Sequence, residues 1–194
     1  MVFFETQSIP SIWGRPLLET YTVVLTSKLH CYNALYDVER GEEIYRMKQN
    51  ILIPMLGNEK AVAFLTECSK YCYIISDMSS AHEHIMKALN LIKDTVDPHP
   101  RILIDSFRQA TYIHMENGKS LKAKASIETA LAICKHIVQN SRKMLACHKC
   151  HQFGDSLLFL DCMVDFAFYL GRTDQFKKCC DVLNQTYVVS LCNI

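Results

Sequence analysis

Six glycines and five prolines are spread over 194 residues, too few for the many turns of an all-β fold. Charge of one sign is missing as well. Lys and Arg number 21 against 20 Asp and Glu, for a net charge of +1 with no basic block and no acidic tail. A nucleic-acid partner held by an electrostatic footprint is therefore not expected. No long uncharged apolar run occurs; the best stretch, residues 156–170, carries Asp161 and Asp165, so no membrane partner is expected either. The N-terminus has no basic region, and Glu5 interrupts its first apolar residues, which argues against a signal peptide. Gly-x-Ser-x-Gly, a phosphate-cradling glycine loop and His-Glu-x-x-His are all absent. The chain is accordingly expected to be non-enzymatic and to need no cofactor. Its ten cysteines fit small buried residues in a reducing cytoplasm or nucleus.

What is present is helical periodicity. Leu18, Tyr21, Leu25, Leu29, Tyr32 and Tyr36 recur at steps of three and four, predicting a helix over about 16–40 that Gly41 closes. Ile44, Met47, Ile51 and Leu52 mark a second helix ending near Pro54. Gly57-Asn58 is a turn with Asn58 as N-cap, followed by helices over about 59–76 and 81–95. Pro98-His99-Pro100 breaks the chain. Helices are then expected over 101–116, 120–141, 156–170 and 174–183, with turns at Asn117-Gly118 and Gly171-Arg172-Thr173.

Two of these helices repeat each other. Ala81, Ile85 and Ala88-Leu89 are matched 42 residues later by Ala123, Ile127 and Ala130-Leu131. Repetition at that period points to stacked helical hairpins. The expected fold is all-α, a right-handed α-solenoid of about four antiparallel hairpins. Residues 1–57 would form a lead-in and capping hairpin, and 58–194 the repeats in one continuous domain.

The pattern resembles the tetratricopeptide repeat (TPR) family, in its 42-residue kinesin light chain form. One copy places Phe107, Ala110, Gly118, Ala123, Ile127 and Ala130 on the family positions. Another places Leu65, Cys68, Ala81, Ile85 and Ala88, with Ser76 at the turn glycine. A degenerate copy lies on Leu160, Met163 and Gly171, then Phe176, Cys180 and Leu183. The resemblance implies a protein-interaction scaffold or adaptor that binds an extended or helical segment in a concave groove. Carried over by position, the groove residues are Ala63, Thr66, Lys70 and Tyr73, then Asp105, Arg108, Tyr112 and Met115, then Leu158, Asp161, Asp165 and Phe168. The grading from Lys70 and Arg108 to Asp161 and Asp165 suggests a partner of mixed charge. The carboxylate-clamp pattern of the co-chaperone members is not reproduced. One alternative is a structural subunit of a larger complex, or a homodimer through apolar surfaces. Another is a zinc-binding regulator built on Cys147, Cys150 and His151, completed by His136, His148 or Cys134.

Overall fold

The computed structural model describes residues 15–51, 57–143, 149–175 and 177–184, and among them there is no strand. The helices are α1 (Arg15–Leu35), α2 (Val38–Ile51), α3 (Asn58–Ile74), α4 (Met78–Lys93), α5 (Pro100–Glu116), α6 (Ser120–Lys143) and α7 (Lys149–Arg172). Residues 177–184 are helical too. The chain divides into two compact units, Met1–Pro98 and His99–Ile194.

In the first unit α1 and α2 are antiparallel, as the Tyr21 hydroxyl near the start of α1 reaches the Met47 sulfur near the end of α2. Helices α3 and α4 are antiparallel as well. The Asn58 amide donates to the Asp94 carbonyl at one end, and the Ser69 hydroxyl donates to the Ala81 carbonyl, at 2.8 Å, nearer the other. In the second unit α6 and α7 run oppositely, with the Tyr169 hydroxyl donating to the Ser120 carbonyl. The matched residues Ala81, Ile85, Ala88, Ala123, Ile127 and Ala130 are all fully buried. Small residues there allow close helix approach, and the Ile between them fills the space that remains.

Four turns share one backbone construction. Tyr36, Ser76, Gly118 and Asp174 each adopt a left-handed φ, between 54° and 68°. The N–H of each bonds the carbonyl three residues back, and the next N–H bonds the carbonyl five back: Asp37 to Tyr32, Asp77 to Cys72, Lys119 to His114 and Gln175 to Leu170. That pair of bonds is the Schellman motif, which occupies carbonyls a helix end would otherwise leave without partners. The carbonyls of Asp37, Asp77, Lys119 and Gln175 then accept the first bond of the following helix, from Gly41, Ala81, Ala123 and Cys179, each at 3.0 Å. The Asp77 carboxylate also accepts from the Ser80 N–H, at 3.1 Å, and bonding to Ser80 holds its carboxyl below the ordinary carboxylate value.

The structure corrects four expectations. Helix α1 stops at Leu35, and Gly41, expected to close it, lies buried inside α2. A Cβ on Gly41 would lie 2.9 Å from the Tyr71 ring, so this glycine serves close approach rather than termination. The first hairpin, expected to be a cap outside the repeat pattern, carries the same turn as the others. Gly57, not Asn58, is the N-cap of α3. Finally, α7 begins at Lys149 and runs through Gly171 to Arg172. The last left-handed residue is Asp174, and Cys179 rather than Phe176 takes the place of Ala81 and Ala123. The wider spacing of this last turn comes from helix length, since α6 and α7 have 24 residues each against 16 and 17 in α4 and α5.

Candidate functional site

The first helix of each hairpin packs in parallel on its counterpart within the same unit, and a buried carboxylate joins each pair. In the first unit the carboxylate is Glu67 of α3. The Asn33 side-chain amide of α1 donates to the Glu67 backbone carbonyl and to Oε2, both at 3.0 Å. His30 Nδ1 of α1 lies 3.1 Å from Oε1, and Lys70 Nζ donates to the same oxygen at 2.7 Å. Burial alone pushes the Glu67 carboxyl up, but His30, Lys70 and Asn33 outweigh it and hold the group below its ordinary value. Lys60 pairs with Glu19 at the other end of the same two helices.

In the second unit the carboxylate is Asp165 of α7, whose side chain is only 6% exposed. Arg108 Nε of α5 donates to one of its oxygens, and the Tyr112 hydroxyl donates to the other at 2.5 Å. Burial works against the Arg108 charge, yet the hydrogen bond and charge of Asp165 raise its guanidinium further above the already high arginine value. Asp161 lies 3.8 Å from Arg108 Nη1 and Asp105 4.0 Å, so three acids surround one cation. Arg172 of α7 donates to Glu116 of α5.

The two arrangements share a register. Glu67 precedes the left-handed Ser76 by nine residues, and Asp165 precedes Asp174 by the same number. Their partners correspond in part: His30 and Tyr112 each sit six residues before the left-handed residue of their own helix. Among the described residues, the buried bridging acid thus takes the same hairpin position in each unit.

Several expected groove residues are consumed by these bonds. Thr66 is buried, and its hydroxyl donates to the Val62 carbonyl at 2.9 Å, so it offers nothing to a groove. Lys70 is held by Glu67. Arg108, Tyr112 and Asp165 bind one another, with Asp161 beside them. The expected gradient of charge toward a partner is thus in large part an internal set of ion pairs. Met115 and Leu158 are half-buried against the core of the second unit. Ala63 and Tyr73 are half-buried on α3, and Phe168 is exposed. The Phe168 ring lies 5.8 Å from the Tyr112 ring, centroid to centroid, and the Arg172 guanidinium lies 5.9 Å over it.

Two further features have no signature in the sequence pattern. Tyr45 of α2 lies 2.9 Å from His84 Nε2 of α4 through its hydroxyl, and its ring packs 5.1 Å from that of Tyr71. Burial pushes the Tyr45 hydroxyl well above the ordinary tyrosine value. Cys134 and Cys162 bring their sulfurs within 3.4 Å in the second core, and that neighbouring thiol, with burial, keeps Cys162 protonated. Cys134 thus packs as a core thiol. Cys147, Cys150 and His151, with His148, lie outside the residues whose side chains are described. Among the described residues no group of three or more His, Cys, Asp or Glu could hold a metal ion, and no helix is long and apolar enough to cross a membrane.

No family model matches the chain, and neither does any curated protein. Among solved structures, the chain is similar to a crystal structure from Podosopora anserina of nearly identical TPR-like repeats of kinesin light chain type. The identity is 13%, covering 89% of this chain and 96% of that one, with a TM-score of 0.47. A single-substitution variant of the same repeats gives 13% identity, coverage of 88% and 95%, and a TM-score of 0.45.

Proposed function

We propose that this protein is a non-catalytic interaction scaffold that receives a protein segment, extended or helical, on the faces of its first-of-hairpin helices. One observation carries the reading. With Asp165 and Glu116 held by internal bonds, Phe168 remains exposed beside Tyr112 and under Arg172. Aromatic and Arg side chains of this kind anchor protein interfaces, because each buries a large area in a single contact. The internal neutralisation of Lys70 and Arg108 favours an apolar or aromatic partner segment over a strongly charged one.

A photo-crosslinking residue placed at Phe168 tests the reading in native extract. Leu121, exposed on α6, serves as the control position. The expected result is an adduct with one other protein at position 168 that is absent at 121. Adducts at both positions alike, or no adduct with any protein other than a second copy of this chain, would overturn it.

A further inference from the structure

Helix α7 carries one strip that stays about half exposed despite its contacts with Arg108, Tyr112 and Glu116 of α5. Asp161, Val164, Phe168 and Arg172 recur at steps of three and four and so share a helix face. They are 62%, 51%, 46% and 44% exposed, the charged pair by side chain. The corresponding face of α5 shows what such a strip does. Arg108 and Tyr112, ten and six residues before the left-handed Gly118, are the side chains that receive α7. Ten and six residues before the left-handed Asp174 stand Val164 and Phe168. The position that takes a helix in α5 is thus open in α7, and it has changed from polar to apolar.

The strip is also ordered by charge, with acid at its N-terminal end, two apolar residues in the middle and Arg at its C-terminal end. A parallel copy would set Asp161 against Asp161 and Arg172 against Arg172. An antiparallel copy, turned about a two-fold axis near residue 166, sets Asp161 beside Arg172 of the second copy at both ends. The same operation sets Val164 beside Phe168 of the second copy. We propose that α7 is the contact helix of an isologous homodimer in which this strip pairs antiparallel with itself. Charge complementarity selects the occupant, since the strip is complementary to its own reverse. The existing bonds leave room for it. Arg172 uses one nitrogen on Glu116 and has further N–H donors, and Asp161 touches only the edge of Arg108. A strip of this length spans about 17 Å of helix. It falls short of the roughly 1,600 Å² of a standard interface, so the dimer forms and dissociates with concentration.

Sedimentation equilibrium of the full chain over a wide concentration range tests this. Wild type is expected to show a monomer–dimer equilibrium. Val164→Glu should abolish it while far-UV circular dichroism is unchanged, because Val164 is exposed in the monomer. Asp161→Arg alone and Arg172→Asp alone should each be monomeric at concentrations where wild type is dimeric. Mixing these two single variants should restore a dimer containing one copy of each, since only there does a copy with two basic ends face a copy with two acidic ends. A wild type that is monomeric throughout, a dimer that survives Val164→Glu, or a mixture that stays monomeric would overturn the proposal. The first of these outcomes leaves the scaffold reading standing, because that reading is decided by an adduct with a different protein.

Discussion

Arg108→Leu is the most informative single perturbation of the second unit. The leucine keeps much of the buried side-chain stem but leaves the Asp165 carboxylate, 6% exposed, with the Tyr112 hydroxyl as its remaining partner on α5. Removing one member of a buried ion pair typically costs about 3–5 kcal/mol, because the other charge stays desolvated without compensation. Tyr112 softens the loss, so about 3 kcal/mol is expected. For a cooperative chain of this length that lowers the melting temperature by about 6–12 °C. Asp165→Asn should cost far less, about 1 kcal/mol. The amide can still accept a hydrogen bond, and the guanidinium keeps Asp161 at 3.8 Å and Asp105 at 4.0 Å. The double variant, Arg108→Leu with Asp165→Asn, should be more stable than Arg108→Leu alone, since no buried anion is left stranded. Urea denaturation of the four proteins as a double-mutant cycle reads these differences directly. Strict additivity of the two changes, or an Arg108→Leu protein as stable as wild type, would refute the view that Asp165 depends on Arg108.

The turns give a matched pair of opposite signs. Ser76→Gly should stabilise by about 1 kcal/mol, as it relieves a left-handed residue bearing a Cβ, and Gly118→Ser should destabilise by a similar amount. Thermal denaturation of both variants checks the signs, and equal signs would contradict the shared turn. For Glu67 the sign follows from its lowered carboxyl. The folded value lies below the ordinary 4.5, so the stability it adds is complete above that pH and lost as pH falls through the folded value. Glu67→Gln should therefore flatten the loss of stability expected in wild type as pH falls below 4.5, measured by urea midpoints at each pH.

How much of this is legible in the sequence depends on distance along the chain. The α4 and α6 faces are legible because Ala81, Ile85, Ala88 and their counterparts follow a local helical period and are all core residues. The first hairpin is hidden because its left-handed residue is Tyr36, which carries no turn signal, while Gly41 looks like a stop. Its real signal is the step of 40 from Gly41 to Ala81, followed by 42 to Ala123, each with a large residue four positions on. The last turn falls three residues beyond its expected place, since the lengthened α6 and α7 break the period. The candidate site is the least legible part. Arg108 and Asp165 are 57 residues apart, and Asn33 and Glu67 are 34 apart. Each of these residues taken alone reads as an ordinary solvated charge or amide, and only the packing of parallel helices brings them together.

The four turns are made almost wholly by main-chain groups bonding main-chain groups, and Tyr, Ser, Gly and Asp all occupy the left-handed position. Such a joint constrains the path of the chain far more than it constrains the alphabet. Substitution can proceed there at a cost of about 1–2 kcal/mol per change, recoverable elsewhere in the fold, while the hairpin is preserved. A lineage carrying this architecture can therefore drift until its side chains no longer advertise it. Kinship would then be sought more productively in the spacing of the small residues, each five positions after a left-handed one, than in the identity of the turn residue.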